Sequence, residues 1–261
     1  KALLAHINKY ELVSSEDGSG VIATDPASLD LFNMAQRVAQ TDATVLLTGE
    51  SGVGKEVVAR FIHNHSPRKS GPFVAINCAA IPDSLLDATL FGYEKGAFTG
   101  AQQAQAGKFE QAQDGTLLLD EVTEMPMGLQ AKLLRVLQER EVERVGGKKP
   151  VPLNIRIVAT SNRDMAEAVA KGVFREDLFY RLNVFPVAIP ALRQRPLDIT
   201  PIARHFVVEH GGRFGRTGVS LSDSAERALT SHDWPGNVRE LENVIQRALI
   251  MAPGSVIETS H

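Results

Sequence analysis

Short apolar runs recur along the first two thirds of the chain, and helical patterns lie between them. One helical pattern covers 29–40, where apolar residues recur at Leu29, Phe32, Ala35 and Val38. The apolar runs are TVLLTG (44–49), FVAINC (73–78), GTLLLDE (115–121) and NIRIVATSN (154–162). Runs of this length are typical of strands buried on both faces of a parallel sheet. The alternation predicts an α/β fold, a wound parallel sheet with flanking helices whose ligands bind at the carboxyl ends of the strands.

The pattern changes near Ile189, beyond which helical spacing continues without a further clear strand. The helical stretches there are ITPIARHFVVEH (199–210), SDSAERALTSH (222–232) and NVRELENVIQRALIMA (237–252). The last of them begins with Asn237 and Glu240 in Asn-x-x-Glu spacing, a variant of the helix capping box. These stretches predict a small all-helical subdomain at the end of the chain.

Three segments follow from these patterns. The polar, glycine-containing stretch SSEDGSG (14–20) indicates that residues 1–20 form an N-terminal linker segment. Residues 21–188 are expected to form the α/β subdomain and residues 189–261 the helical one. Because the chain opens at Lys1 without a methionine, we also expect it to be a piece of a longer protein with flanking domains.

Charge and cysteine content argue against several functional classes for this protein. Lys and Arg number 28 against 31 Asp and Glu, a net charge of -3, which argues against tight stand-alone DNA binding. The single cysteine, Cys78, fits a reducing compartment and excludes an internal disulfide. No apolar run approaches the ~20 residues that span a bilayer. The expectation is a cytoplasmic protein that does not contact membranes.

A glycine loop follows the first apolar run and precedes a helix predicted over 56–63. In such a loop, backbone N–H groups converge on phosphates and the lysine reaches the β- and γ-phosphates. The candidate nucleotide-binding residues are Gly49, Glu50, Ser51, Gly52, Val53, Gly54 and Lys55, with Glu56 and Val57 after them. The general motif has Ser or Thr after the lysine to hold Mg²⁺, and Glu56 stands there instead. A chance glycine turn is the alternative interpretation.

Two acids, Asp120 and Glu121, close the run GTLLLDE. We expect Asp120 to hold Mg²⁺, directly or through water, and Glu121 to polarise an attacking water as general base. The alternative is a solvated strand end. Asn162, at the end of another run, could orient water or sense the γ-phosphate, or could be a turn asparagine. Asn77 could hydrogen-bond Glu121 and hold it off the water.

A phenylalanine flanked by glycines, Phe98, lies in the polar stretch YEKGAFTGAQQAQ (93–105). It is interpreted as a loop tip offered to a partner, with a buried loop anchor as the alternative. The string GAFTGA resembles the signature of the bacterial sigma-54-dependent transcription activators, or enhancer-binding proteins, a branch of the AAA+ ATPases. Further blocks resemble the same family in the expected order: GESGVGKE, NCAA, LFGYEKGAFTGA, GTLLLDE, FREDLFYRLN and WPGNVREL. The resemblance covers about residues 21–252, and Glu56 after the lysine is usual in this family.

The resemblance implies an AAA+ P-loop ATPase fold with a helical lid, and ATP and Mg²⁺ as cofactors. It assigns contact with sigma-54 to the loop Gly96, Ala97, Phe98, Thr99, Gly100 and Ala101. It makes the segment 141–152 a second loop in a pore, although charge and glycine content alone also fit a plain solvated turn. Val21 and Ile22 are assigned to the nucleotide pocket.

Three arginines also gain a role from the resemblance. Arg175 and Arg181, in FREDLFYRLN, would be arginine fingers that stabilise charge on the ATP of a neighbouring subunit; alone they could be surface salt bridges. Arg239, in the first turn of the last helix, would be a sensor of the γ-phosphate, with a surface arginine as the alternative. The active site is then shared between subunits, and a hexameric ring is expected.

The function implied is ATP-driven remodelling of the sigma-54 RNA polymerase closed complex in the bacterial cytoplasm. DNA binding would reside in a C-terminal domain outside this sequence. A different AAA+ machine acting on another protein is one alternative. A nucleotide-switched structural or DNA-binding regulator without useful turnover is another, and intact Asp120 and Glu121 argue against it.

Overall fold

A computed structural model describes residues 21–261, so the predicted linker 1–20 lies outside the described residues. The chain divides into two compact units. The larger unit comprises Ala35–Gly49 and Lys55–Ala188, and the smaller unit contains residues 21–34, Glu50–Gly54 and Ile189–His261. This division differs from the contiguous one expected from sequence, because the crown of the glycine loop, Glu50–Gly54, groups with the C-terminal residues.

The elements as far as the main sheet's last strand are α1 (Pro26–Ala39), β1 (Val45–Thr48), α2 (Lys55–Asn64), β2 (Phe73–Asn77), α3 (Asp83–Phe91), β3 (Gly92–Tyr93), β4 (Gln105–Ala106), α4 (Lys108–Gln111), β5 (Thr116–Asp120), α5 (Met127–Glu139), β6 (Glu141–Glu143), β7 (Pro150–Pro152), β8 (Arg156–Ser161), α6 (Met165–Ala170), α7 (Glu176–Leu182) and β9 (Phe185–Ala188). Those that follow are α8 (Ile199–Arg213), β10 (Ser220–Leu221), α9 (Asp223–Ser231), α10 (Asn237–Met251) and β11 (Val256–Ile257).

The larger unit is built on a five-stranded parallel sheet in the order β2-β5-β8-β1-β9. The four strands predicted from the apolar runs are confirmed. The fifth strand, β9, is missing from the prediction because it contains Pro186, which does not donate a backbone hydrogen bond. Proline is tolerated there because β9 pairs with β1 alone and forms an edge of the sheet.

The core of the larger unit lies where the sheet meets α5. Leu117 and Leu119 of β5 and Leu133 of α5 are fully buried in one apolar cluster. Burying each such leucine stabilises the fold by roughly 1.5–3 kcal/mol. This packing fixes the sheet, and with it the positions of the polar residues that follow each strand.

Helices α8, α9 and α10 form the core of the smaller unit around Trp234, which is buried and donates its indole N–H to the carbonyl of Leu229. A two-residue parallel pair, β10 with β11, accompanies them, so the prediction of an all-helical subdomain is wrong in this detail. At the start of α10 the Glu240 carboxylate accepts a hydrogen bond from the Gly236 N–H, as in a capping box. Asn237 does not cap the helix, because its side-chain oxygen accepts from the N–H of Leu192.

No helix within 21–261 combines the length and the apolar character needed to cross a bilayer.

Candidate functional site

The two acids at the end of β5 are held by a threonine from the neighbouring strand β8. The Thr160 hydroxyl donates to Oδ1 of Asp120 at 2.6 Å and accepts from the backbone N–H of Glu121 at 2.9 Å. Glu121 has a left-handed backbone, with φ of 54°. Such a conformation costs a non-glycine residue roughly 1–3 kcal/mol and persists where its surroundings fix it. Thr160 is buried, and the sequence analysis did not assign it to the site.

Asn77 at the end of β2 also holds Asp120. Its amide donates to Oδ2 of Asp120 at 2.9 Å, so the expectation that it binds Glu121 is wrong. The strand register explains the difference, because Asn77 lies directly opposite Asp120 and Glu121 is one residue further along. Asp120 is therefore fixed on both oxygens, by Thr160 and by Asn77.

Lys55 begins α2 and faces the same end of the sheet. Its ammonium Nζ donates to the carbonyl of Gly49 at 2.9 Å and lies 3.7 Å from Oε1 of Glu121. The backbone N–H of Asn162 donates to the other carboxylate oxygen of Glu121 at 3.3 Å. The structure thus brings together Lys55, Asp120, Glu121 and Asn162, as the sequence analysis expected for residues at the carboxyl ends of parallel strands.

The donor set at Asp120 fits Mg²⁺ that arrives with phosphates. Each oxygen of its carboxylate accepts one hydrogen bond, and a carboxylate has about four acceptor positions in all. Among the described residues no three His, Cys, Asp or Glu side chains gather as a metal cage. Mg²⁺ commonly takes one or two protein carboxylates and completes its shell with phosphate oxygens and water. Asp120 is the residue that would hold it.

The crown of the glycine loop is bound within the smaller unit by side chains from the start of α10 and the turn before α8. The Glu50 carboxylate accepts from the Arg193 guanidinium at 2.5 and 2.9 Å and from the Asn237 amide at 3.0 Å. These hydrogen bonds, the one from Arg193 being the larger cause, lower the pKa of Glu50 to about 2. The Asn237 amide also reaches the carbonyl of Ser51. Asn237 is fully buried, and the sequence analysis did not assign it to the site.

Arg239 lies beside the same crown. Its guanidinium donates to the Ser51 hydroxyl at 3.0 Å, and the carbonyl of Gly52 accepts from the N–H of Val238 at 3.0 Å. Gly52 has φ of +78°, and an added Cβ would come within 2.5 Å of the Gly236 carbonyl oxygen, so a side chain cannot be placed there without displacing backbone. The predicted sensor arginine therefore contacts the loop crown.

Four further residues predicted to bind the nucleotide are not among the hydrogen-bonded groups described above. Val21 is buried and Ile22 packs against the apolar cluster around Trp234. Glu56 pairs with Arg60 one turn later on the exposed face of α2, where Val57 is also exposed.

Of the two candidate finger arginines, Arg175 immediately precedes α7 and Arg181 lies in its last turn. The guanidinium of Arg175 pairs with Asp177 at 2.7 and 2.9 Å. Arg181 donates to the carbonyl of Leu137 at 2.8 Å. Neither arginine joins Lys55 and Glu121 through a hydrogen bond within the part of the chain that the structure describes. Tyr180 and Val184 beside them are exposed apolar residues.

The loop 96–101 is closed by its own backbone. The N–H of Gly96 donates to the carbonyl of Ala101 at 2.9 Å, and Gly96 and Gly100 have φ of 83° and 102°. Phe98 is 45% exposed and packs edge-on against Tyr93, with ring centroids 4.9 Å apart. Phe98 is therefore partly available at the surface and is not a fully buried anchor.

The segment 141–152 packs against this loop. The carbonyl of Val145 accepts from the N–H of Glu94 at 3.0 Å, and an added Cβ at Gly146 would lie 2.9 Å from the Cβ of Ala97. The Arg144 guanidinium donates to Glu110 at 2.8 Å and lies 3.3 Å from the carboxylate of Glu94, and the hydrogen bond to Glu110 is the main cause that raises the pKa of Arg144. The two loops form one packed element of the larger unit.

The parallel sheet, the glycine loop after β1, the acid pair at the end of β5 and the helical lid define an ATPase of the AAA+ class. Residues 21–188 match the sigma-54 interaction domain, and the chain belongs to this family. Residues 193–261 match the AAA+ ATPase lid domain.

The chain is similar to several bacterial regulators. Response regulator protein FleR of Pseudomonas aeruginosa is 57% identical over 260 residues, which are 99% of this chain and 55% of FleR. Regulatory protein AtoC of Escherichia coli is 49% identical over 257 residues, which are 98% of this chain and 56% of AtoC. The chain thus spans little more than half the length of these relatives.

Solved structures give the same fold. NtrX from Brucella abortus has a TM-score of 0.86 and 37% identity, covering 99% of this chain and 59% of NtrX. The complex of NtrX with ATP has a TM-score of 0.84 and 36% identity, covering 99% of this chain and 59% of that chain. Hsp104, at 18% identity and a TM-score of 0.64, shares the fold alone.

Proposed function

We propose that this chain hydrolyses ATP and uses the cycle to remodel the sigma-54 RNA polymerase closed complex so that transcription can start. The observation that carries the proposal is the grouping of Lys55, Asp120 and Glu121 in a chain of the sigma-54 interaction domain family. The partly exposed Phe98, on a loop closed by its own backbone, supports a protein partner.

The chemistry follows from the placement of four side chains. ATP binds the loop 49–55, where backbone N–H groups and the Lys55 ammonium hold its phosphates. Asp120 would hold Mg²⁺, which would supply positive charge to the phosphates. Thr160 and Asn77 fix the orientation of Asp120. Glu121 takes the proton of the attacking water.

Coupling to the rest of the assembly uses the arginines. Arg239, already at the Ser51 hydroxyl, reads the γ-phosphate through the loop crown. Arg175 and Arg181 complete the ATP site of a neighbouring subunit in a hexameric ring, and exposed Tyr180 and Val184 supply apolar surface for that contact. In this proposal 21–188 is the nucleotide subdomain and 189–261 is the lid.

Phe98 and Thr99 contact sigma-54 in the proposal, and the loop moves with the nucleotide state. Recognition of DNA belongs to a domain outside this sequence, and the setting is the bacterial cytoplasm. The net charge of -3 fits a chain that does not hold DNA by itself.

The test is co-elution of the chain with purified sigma-54, with and without an ATP transition-state analogue. A complex that forms only with the analogue supports both the partner and its coupling to ATP. ATP hydrolysis without any complex would favour a different protein substrate for the same AAA+ machine. Binding of ATP without hydrolysis would favour a nucleotide-switched regulator instead.

A further inference from the structure

The smaller unit contains a buried ion pair that none of the roles above uses. Arg195 is 5% exposed and Asp198 is fully buried, and their nearest charged atoms, Nη1 and Oδ2, are 3.8 Å apart. Burial lowers the pKa of the Arg195 guanidinium, and its Nε atom is buried without a hydrogen-bond partner among the described residues. Burying a guanidinium with one donor unsatisfied costs free energy, so a contribution to stability does not by itself account for this ion pair.

One end of this pair holds the glycine loop. The guanidinium Nη2 of Arg195 donates to the carbonyl of Val53 at 2.6 Å in a buried hydrogen bond. Val53 precedes Gly54 and Lys55, so this bond fixes the backbone just before the phosphate-binding lysine. A charge-assisted hydrogen bond to a carbonyl is among the stronger single restraints available to a loop.

The other end of the pair holds the segment that follows Val21 and Ile22. Oδ1 of Asp198 accepts the backbone N–H groups of Thr24 and Asp25, both at 2.7 Å, and Oδ2 accepts the Ser28 hydroxyl. Asp198 therefore ties down the backbone between the proposed nucleotide-pocket residues and the first turn of α1. The same carboxylate faces Arg195.

We propose that Arg195 and Asp198 are positioning residues for the nucleotide, which set the phosphate loop and the segment 21–25 at one fixed spacing. This inference rests on the proposed function, since it names residues of the same nucleotide site. Neither residue takes part in chemistry. Without the pair, the phosphate loop and the segment 21–25 can shift relative to each other. This shift weakens ATP binding more than it slows the chemical step, because Lys55 and Glu121 keep their own contacts.

The first variant is Arg195→Met, which keeps length and apolar packing and removes the guanidinium. The expected result is a rise of roughly 10-fold to 100-fold in the Kd for ATP, measured by titration calorimetry, with a smaller change in kcat than in KM. The Kd of Arg195→Lys should lie between those of the wild type and Arg195→Met, because a single ammonium replaces the planar guanidinium and its several donors. Arg204→Met is the matched control, since Arg204 is an exposed arginine of the same unit that pairs with Glu226. Its Kd should equal that of the wild type.

A double variant separates positioning from stability. Asp198→Asn removes the nearer of the two negative charges that act on buried Arg195 and leaves only Asp25, so this change alone should destabilise the smaller unit. Adding Arg195→Met should restore the unfolding temperature, followed by fluorescence of the single tryptophan, Trp234, and should leave ATP binding weak. A purely structural pair predicts instead that ATP affinity recovers along with stability.

The outcomes distinguish the two levels of proposal. Absence of ATP binding in the wild type overturns the proposed function itself. Normal ATP binding in the wild type with an unchanged Kd in folded Arg195→Met overturns the positioning role alone. If Arg195→Met fails to fold, the double variant and Arg195→Lys give the same comparison of affinity at matched stability.

Discussion

The ammonium of Lys55 lies 3.7 Å from Oε1 of Glu121, and the N–H of Asn162 donates to the other carboxylate oxygen. Glu121 is thus held on both sides at the strand end, with its backbone fixed in the left-handed region by Thr160. If Glu121 is the general base, as proposed above, a carboxylate held in this way needs little reorganisation before it accepts a proton from water.

Replacing Glu121 tests the general base. Glu121→Gln keeps the shape of the side chain and removes its ability to take a proton. We expect ATP to bind with near wild-type affinity and to turn over at least ~10²-fold more slowly, the usual contribution of general-base catalysis. Steady-state phosphate release and ATP titration give the two numbers. Glu124→Gln is the control, because Glu124 pairs with Arg163 on the surface. Near-normal turnover in Glu121→Gln would reject the role.

Thr160 supplies a second test at the same place. Thr160→Val removes the hydroxyl that donates to Asp120 and leaves the Glu121 N–H unpaired, at a cost of about 1–3 kcal/mol. Turnover should fall roughly 10-fold or more, since small misplacements of catalytic groups are costly. Thr160→Ser retains the hydroxyl and should recover most activity. Equal turnover in the valine variant and the wild type would show that Asp120 and Glu121 need no such support.

The sequence predicts the two acids, Asp120 and Glu121, as site residues but does not predict Thr160, and the reason is physical. An acid pair closing an apolar run is visible because charges are rarely placed at a buried strand without a task. Thr160 lies inside such a run, where its hydroxyl matters only through its register against β5. The sequence also predicts Asn77 as a site residue, but with Glu121 as its partner. Strand register decides the partner here as well, because Asn77 lies opposite Asp120 in the pairing of β2 with β5.

The elements of the fold also divide into those that the sequence predicts and those that it does not. Apolar runs predicted four strands, and β9 was missed because Pro186 breaks the pattern of a strand. Contacts between distant segments were out of reach from sequence. The hydrogen bonds of Asn237 to Glu50 and Ser51 are an example, because they join positions far apart in the chain.

The loop at Phe98 can be separated from catalysis by one substitution. Thr99→Ala should keep most ATPase activity, because the change is confined to the loop 96–101. It should abolish the complex with sigma-54 that the transition-state analogue supports. Co-elution and phosphate release on the same sample measure both. Thr89→Ala is the control, because Thr89 is a half-buried residue of α3 whose hydroxyl donates to the Leu85 carbonyl of the same helix. An unchanged complex in Thr99→Ala would remove this loop from the interface.

A site shared between subunits predicts complementation. Lys55→Ala disables the chain's own phosphate loop, and Arg175→Ala removes the arginine offered to a neighbour. Each variant alone should be inactive, and a mixture should recover part of the wild-type turnover at mixed interfaces. Phosphate release at constant total protein, under conditions where rings form by light scattering, is the measurement. Arg175 pairs with Asp177 within its own chain, so Asp177→Asn should not imitate Arg175→Ala. No recovery in mixed rings would count against a shared site.

The Glu50 carboxylate gives a pH dependence of known sign. Its pKa is about 2 in the folded chain against an ordinary 4.5, because Arg193 and Asn237 donate to the ionised form. A lowered pKa stabilises the fold above about pH 4.5, and this contribution is lost as the pH falls towards 2. Glu50→Gln should therefore lower the Tm at pH 7 and have a shrinking effect between pH 4.5 and 2.

Thermal unfolding followed by Trp234 fluorescence at several pH values measures this difference. The Glu50 side chain is 45% exposed, so solvent screens the interaction, and the difference in Tm should be small and should decrease further at high salt. Arg193→Gln removes the main donor and should reduce the same pH-dependent component, while the hydrogen bond from Asn237 retains part of it. A difference in Tm between Glu50→Gln and the wild type that stays constant from pH 7 to pH 3 would show that the Arg193 and Asn237 contacts do not favour the ionised carboxylate.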